Sequence, residues 1–498
     1  NDWLGIMGRV TIDNYNSIQE ERIAVGSVDV PNYTRFNERY IENNYDLMLN
    51  FNKVWDKFSL NGVLGSNIRR NSYSSIRAST NGGLSVPRLY ALSNSASSLL
   101  APVEFQYDSG IDGYFANASL GWNNLLFVEG SYRRDVSSNL PKENNTYDYY
   151  SGSLSFLWSS LFDSNAISLG KLRFGYAKTG NTARPLSVNN VYVLGNITGG
   201  QPTASLPSRN NNAGLRAETS NEFEVGLEMA MFKNRLGLDL SYYDKTSEDL
   251  ITPVTISAAT GYTGQWLNAG EIQNKGIEAT VWGSPVKNQD WEWRIDINYS
   301  KNESEVLSLP SGLNNLLLAS PQGGVSINAT VGEPYGMIQG RDFVFVDGQR
   351  VIDQSNGRYA RTDSSTENLG SYQANFRGGI NNRLTWKNLS FSFLIDMQDG
   401  GSVFSLDTWY GYGTGVTDNT VGLNDLGNPK RLPIDQGGGI VLAGVAPDGT
   451  PNTVRTRYDY YAHAEGWTRA PQALHVYDAS FVKLREMSLS YKLGSDVF

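Results

Sequence analysis

The 498-residue sequence has no cysteine, which excludes disulfides, thiolate catalysis and every metal site built on cysteine. Its two histidines, His463 and His475, have no cysteine partners, and we interpret them as loop residues and not as zinc ligands. No stretch approaches the roughly 18 consecutive apolar residues that a membrane helix needs. These absences exclude a helical membrane protein, but they leave open a membrane barrel, whose strands alternate in polarity.

Basic residues are also few, with 41 Lys and Arg against 50 Asp and Glu and a net charge of −9. No broad basic surface is available for phosphate backbones, so we expect no nucleic acid partner. The sequence has no Walker A pattern, no GxSxG elbow and no GxGxxG after a strand. Asp353–Gly357 indicates a polar turn better than a calcium loop, because the later ligands are missing. We therefore expect neither an enzyme nor a cofactor.

Aromatic residues and glycine are abundant, with 28 Tyr, 19 Phe, 11 Trp and 51 Gly, as is typical of strands and turns. Apolar and polar residues alternate along the chain, as in Trp291–Ser300. One face of that segment is aromatic or aliphatic and the other is polar or charged, which predicts a strand with one apolar and one wet face. We interpret the acidic residues on the polar faces as water-facing residues of the strands and not as catalytic groups.

The alternation predicts fourteen strands, at 3–15, 44–53, 57–69, 112–122, 125–135, 147–158, 169–180, 216–231, 235–252, 268–284, 290–307, 371–386, 389–405 and 480–493. Short and long links alternate between them, and each short link has a Trp or Phe in or beside it, as at Trp55, Trp122 and Trp386. The prediction is an all-β, large antiparallel transmembrane barrel with short periplasmic turns, long extracellular loops and an interfacial aromatic girdle. The alternative is a soluble β-sandwich whose strand ends carry the same aromatic residues.

Aromatic side chains cluster in the last long link, predicted at 406–479. The candidate ligand or partner contacts are Trp409, Tyr410, Tyr412, Tyr458, Tyr460, Tyr461 and Trp467. Flat rings beside Asn and Asp suit stacking on a sugar or a peptide, and they suit packing on a partner protein equally well. They could also serve only to hold a large loop together.

Several segments resemble the SusC/RagA-type outer-membrane transporters of Bacteroidetes, a branch of the TonB-dependent receptors. Asp478–Tyr491 resembles the characteristic late strand of that family. In chain order, the other similar segments are Tyr132–Ser138, Lys171–Asn181, Glu218–Leu227 and Asn268–Glu278. Together they span most of the chain, and their order makes chance similarity improbable.

The resemblance implies an outer-membrane barrel of 22 strands, filled by an N-terminal plug that contacts TonB. With fourteen strands and no recognisable plug, residues 1–498 are expected to be one partial barrel domain that lacks the plug and the final strands. The implied function is import of an oligomeric nutrient, a glycan or peptide, with a SusD-like surface lipoprotein and outer-membrane lipid as partners. The alternative is a non-transporting SusC-like barrel that acts as a scaffold in a larger outer-membrane assembly.

Overall fold

A computed structural model describes residues 3–195, 199, 201–459 and 463–493. Within them, fourteen long strands form a sheet whose strand order is the chain order, and every register described is antiparallel. The strands β1–β14 are Leu4–Arg22, Tyr33–Trp55, Phe58–Ser79, Val103–Trp122, Leu126–Ser137, Thr146–Phe156, Ile167–Asn181, Glu218–Met231, Leu236–Glu248, Glu271–Lys287, Trp291–Ser308, Phe376–Trp386, Leu389–Asp399 and Phe481–Tyr491. All fourteen predicted strands are thus confirmed. No helix in this part of the chain is long and apolar enough to cross a membrane.

The remaining strands and the α-helix are short and lie in the long links. The short strands are Asn81–Leu84, Ser95–Ser97, Val193–Leu194, Ala204–Ser205, Arg209–Asn210, Ile251–Thr255, Gly264–Asn268, Asn315–Ala319, Ser326–Thr330, Met337–Gly340, Phe345–Val346, Gln349–Arg350, Ile352–Asp353, Arg358–Tyr359, Glu367–Ser371, Ser402–Phe404, Ile440–Val441, Arg455–Thr456 and Val476–Asp478. The α-helix α1 spans Leu406–Thr414. It begins after Ser405, whose side chain accepts a hydrogen bond from the Thr408 amide, and it ends at Gly415 in the left-handed region.

The chain divides into two compact units. The first contains Asn1–Phe162, Lys171–Glu224 and Ser247–Ala269, and the second contains Asp163–Gly170, Val225–Thr246 and Gly270–Phe498. Strands β1–β6 lie in the first unit and β10–β14 in the second, while β7, β8 and β9 contribute residues to both.

The first four strands are longer than their alternation predicts. The predicted ends at 15, 44, 69 and 112 are wrong, because β1 and β3 continue to Arg22 and Ser79 while β2 and β4 begin at Tyr33 and Val103. In these extensions both faces carry polar residues, so the periodic signal vanishes. The backbone ladder nevertheless continues, with pairs such as Glu20↔Arg35. Strands this long exceed the roughly 9–11 residues that cross a bilayer, so the wall extends beyond the membrane.

Two aromatic levels bound the apolar outer face in the first unit. At the short-turn end, Trp55 and Phe58 stack with ring centroids 6.1 Å apart, as the predicted girdle requires. At the other level, tyrosines on the same outward face are exposed by 44–55%; these are Tyr45, Tyr114, Tyr132 and Tyr150. The sequence reading did not identify this second girdle. Between the two levels the outward residues are apolar apart from Lys53, which lies close to Trp55 at the short-turn end. This pattern matches a lipid-facing band.

The second unit repeats this arrangement on its own strands. Trp291 on β11 and Trp386 on β12 are paired in register beside the short turns, and their rings stack at 5.7 Å. Ile297 pairs with Val281 on one side and Ile380 on the other, so an apolar row crosses β10–β12. The opposite face of β11 carries Arg294 and Asp296, which form an ion pair of 2.6 Å.

The long links are folded and have small hydrophobic cores of their own. In the first unit, Leu140, Ala183, Leu215 and Ala217 form one buried cluster. A second cluster, in the second unit, joins two different links and consists of Phe343, Ile352, Tyr359, Leu442 and Ala464. The predicted loops are therefore compact bodies at one end of the strands, with hydrophobic cores that fix their shape.

Candidate functional site

Helix α1 carries three of the predicted aromatic contacts. The rings of Trp409 and Tyr410 meet edge to face at 4.8 Å, and Tyr410 accepts a hydrogen bond from the side chain of Gln322. Tyr410 is 38% exposed, whereas Trp409 is half-buried and its indole nitrogen is buried without an acceptor among the described residues. Tyr410 therefore presents the more accessible ring of this pair.

Tyr412 turns to the other side of the helix and meets both histidines. Its ring stacks on His463 at 5.5 Å and meets the edge of His475 at 5.6 Å. Neither imidazole is exposed to solvent. His475 Nε2 lies 3.1 Å from the Glu465 carbonyl oxygen and its Nδ1 lies 3.0 Å from Thr408 Oγ1. Both ring nitrogens of His475 are thus occupied by the fold itself.

Tyr458 closes the cluster from the far end of the same link. Its hydroxyl donates to Glu465 Oε2 at 2.5 Å and accepts from Asn419 Nδ2 at 3.2 Å, and its ring lies 3.9 Å from that of His463. The Glu465 amide in turn donates to His463 Nδ1 at 3.1 Å. Tyr458 is 5% exposed, so in this arrangement it supports the loop and does not present a surface.

Burial favours the neutral form of each of these groups. It lowers the pKa of His463 and of His475 to about 4, so both rings are neutral at pH 7. Burial also raises the pKa of Glu465, which the Tyr458 hydroxyl partly opposes. The histidines therefore stabilise the folded loop least at acid pH, while Glu465 has the opposite dependence as pH rises above its usual 4.5.

Trp467 adopts a backbone conformation that is rare for a side chain of its size, with φ at +51°. Its indole occupies the space over Gly413, where an added Cβ would lie 2.5 Å from the indole ring. The Arg469 guanidinium also lies over the Trp467 ring, 5.0 Å from the ring centroid. Backbone strain of this kind persists only where packing imposes it.

The structure thus brings five predicted residues into one cluster, which we call the aromatic cluster: Trp409, Tyr410, Tyr412, Tyr458 and Trp467. Tyr460 and Tyr461 lie outside the described residues. The sequence reading treated His463 and His475 as ordinary loop residues and missed their place at the centre of the cluster. A usable signal was that the only two histidines of the chain fall in the link with the predicted aromatic contacts.

Comparisons with known proteins give the same architecture. Residues 2–396 match the family model described as TonB dependent receptor-like, beta-barrel. TonB-dependent receptor P3 of Formosa agariphila is 26% identical over 426 residues, which cover 79% of this chain and 40% of that protein. TonB-dependent receptor SusC of Bacteroides thetaiotaomicron is 26% identical over 213 residues, which cover 40% of this chain and 21% of SusC.

A solved structure of the RagAB peptide transporter shares the fold, with a TM-score of 0.79 at 20% identity. The match covers all of this chain and 54% of that one. The chain therefore spans about half of the solved transporter chain, and it spans 40% or less of the two curated relatives. The family match confirms the predicted all-β transmembrane barrel and its outer-membrane location, and it identifies a receptor family and not an enzyme family.

Proposed function

Because this chain belongs to the TonB-dependent receptor-like β-barrel family, we propose that it forms the barrel part of an energised outer-membrane importer. The cargo is an oligomeric nutrient, a glycan or a peptide. The observation that carries the proposal is the combination of a lipid-facing barrel wall with folded links that have their own hydrophobic cores. A rigid wall with structured loops suits capture of a ligand at the cell surface.

Two partners follow from the proposal. A SusD-like surface lipoprotein covers the long links, and TonB supplies energy through a plug that belongs to the whole protein. Support comes from the similarity to SusC and from the fold shared with the RagAB transporter. The sequence has no Walker A pattern and no cysteine, so energised import through this barrel would need an outside source of energy. The parts of the whole protein outside this chain would carry the contact with TonB.

The aromatic cluster is the proposed contact for ligand or partner. Tyr410 supports this role best because it is the exposed member of the edge-to-face pair with Trp409. Replacing Tyr410 by alanine is expected to weaken binding by about 2 kcal/mol, as truncation of an aromatic anchor does. Tyr458→Ala serves as the comparison, because this buried residue should affect loop stability before it affects affinity. Equal, unchanged binding in both variants would show that the cluster only braces the loop.

The test of import is nutrient uptake by cells with and without the TonB complex. Uptake that requires the complex supports the proposal, and undiminished uptake contradicts it in favour of passive diffusion. Purification of the full-length protein from membranes with its native partners separates import from the scaffold alternative. A single lidding lipoprotein supports import, whereas several stable and unrelated partners support a scaffold.

A further inference from the structure

A second recessed surface lies in the links of the second unit, and none of its described lining residues belongs to the aromatic cluster. It is a pocket of about 450 Å³ formed by residues from 353–361 and by Thr468 and Arg469. The first segment lies in the link between β11 and β12, and the second lies in the link between β13 and β14. This volume is in the range of small-molecule sites.

Three arginines line this pocket, which we call the arginine pocket: Arg358, Arg361 and Arg469. Asp353 is the one carboxylate among the described lining residues, and its own turn donates hydrogen bonds to it. It accepts from the Ser355 amide at 2.9 Å and from Asn356 Nδ2 at 2.6 Å. With three arginines against one carboxylate, the described lining carries an excess of positive charge, in a chain whose net charge is −9.

The like charges are held together by the fold. Burial lowers the pKa of Arg469, the neighbouring Arg358 and Arg457 charges lower it further, and the Asp459 carboxylate opposes them. Arg361 donates to the Thr468 carbonyl oxygen, which ties the two segments together. Arg469 lies over the Trp467 ring. Charges that repel one another in this way persist when the surrounding packing fixes them, and they favour an added anion.

Arg358 gives the second, independent observation. Its backbone belongs to the short strand Arg358–Tyr359, which pairs in register with Ile352–Asp353. Its side-chain Nε is buried and has no hydrogen-bond acceptor in the described part of the chain. A buried guanidinium donor without an acceptor is unfavourable, and a rotation of the Arg358 side chain towards an oxyanion in the pocket would satisfy it.

We propose that the arginine pocket binds an oxyanion, a carboxylate or a sulfate group, carried by the imported oligomer. The guanidinium fork donates two parallel hydrogen bonds to such a group and recognises its planar or tetrahedral oxygens. This inference rests on the proposed import function, and it narrows the cargo to acidic oligomers. Neutral glycans and uncharged peptides would be bound less tightly.

Calorimetry on the full-length protein, purified with its native partners, tests the proposal. The probes are trigalacturonate, its methyl ester, a sulfated galactose trisaccharide and a hexaglutamate peptide. We expect each acidic probe that fits the surrounding site to bind about tenfold more tightly than the methyl ester, and to lose affinity at higher salt. The saccharide and peptide arms identify which backbone carries the anion.

Variants locate the binding. Arg358→Gln should weaken acidic-probe binding about tenfold or more, since it removes a charged hydrogen-bond donor, and Arg358→Lys should restore part of the loss because it keeps the charge. Arg184→Gln is the matched control, because Arg184 is an exposed arginine in a link of the first unit. Heat-modifiable migration on gels verifies that each barrel is folded.

Equal affinities for trigalacturonate and its methyl ester, with no binding of the other two acidic probes, would overturn the proposal. Equal affinities in Arg358→Gln and Arg184→Gln would also overturn it. If Arg358→Gln releases a partner protein but leaves anion binding unchanged, the pocket is a protein contact and the proposal fails. TonB-independent uptake with intact, Arg358-dependent anion binding would refute the import function and leave the anion site standing.

Discussion

Substitution of Leu49 by arginine tests the orientation of the barrel wall. Leu49 is 37% exposed on β2, between the outward rings of Tyr45 and Trp55. Its register partners are Ile6 on β1 and Leu64 on β3, which are 73% and 56% exposed. Three neighbouring aliphatic side chains thus point outward at one depth, midway between the two aromatic levels.

The expected loss of barrel stability follows from the position of Leu49 near the middle of the membrane. Arginine on the lipid face near the middle of the bilayer costs about 2–4 kcal/mol, and the loss falls towards zero near the interfaces. Leu49→Arg should therefore shift the folding equilibrium about 30- to 1,000-fold towards the unfolded state. The assay is the fraction of full-length protein in outer-membrane extracts that shows heat-modifiable migration, with the denaturant midpoint as a second measure.

Asn50→Arg is the matched control, because it places the same charge one residue away on the opposite face of β2. Asn50 pairs with Gly5, and a Cβ added at Gly5 would have no heavy atom within 4 Å, so that face has room for a long side chain. We expect near-normal assembly of Asn50→Arg. Equal losses in the two variants would refute the assignment of lipid and lumen faces.

Three further changes test the aromatic cluster. Gly413→Val would collide with the Trp467 indole, should destabilise the loop by about 1–3 kcal/mol, and is checked by limited proteolysis; unchanged cleavage would contradict the packing. Because the pKa values of His463 and His475 fall from 6.5 to about 4 on folding, their stabilisation is full above pH 6.5 and is lost as pH falls towards 4. Glu465 has the opposite dependence, but two histidines oppose this one carboxyl group, so hydrogen exchange at pH 7.5 and 5.5 should show faster loop opening at the lower pH. His475→Gln should flatten the difference. Ser405→Ala should destabilise helix α1 by about 1 kcal/mol while Ser405→Asp retains the cap, as measured by exchange of the first-turn amides.

The strands could be predicted from the sequence because a barrel wall imposes alternation wherever lipid lies on one side and water on the other. The same reasoning fails above the membrane, where β2 carries Arg39 and Tyr40 on opposite faces and no apolar period remains. Sequence alone also does not give the register. The row formed by Tyr15, Tyr40, Tyr73 and Tyr107 crosses β1–β4 at one level, and it is visible only once the strand pairs are known.

The aromatic cluster shows a different limit. The sequence places Trp409, Tyr410 and Tyr412 in one long link, and in the structure all three lie on helix α1. The place of His463 and His475 beside Tyr412 depends on contacts between distant parts of one link. No periodic pattern encodes such contacts, because they are selected by packing and by hydrogen bonds such as that between Thr408 Oγ1 and His475 Nδ1.

Recognition by loops requires that the loops hold their shape before the ligand arrives, since ordering them on binding would reduce affinity. In the second unit this condition is met by a core that two links share. Phe343 and Ile352 from one link pack with Leu442 and Ala464 from the other, and the Ile352 amide donates to the Val445 carbonyl oxygen at 2.8 Å. The arginine pocket is built across these same two links. Its guanidinium groups are therefore placed by a packed body, which would let the proposed anion site select its ligand without support from the long strands β1–β14.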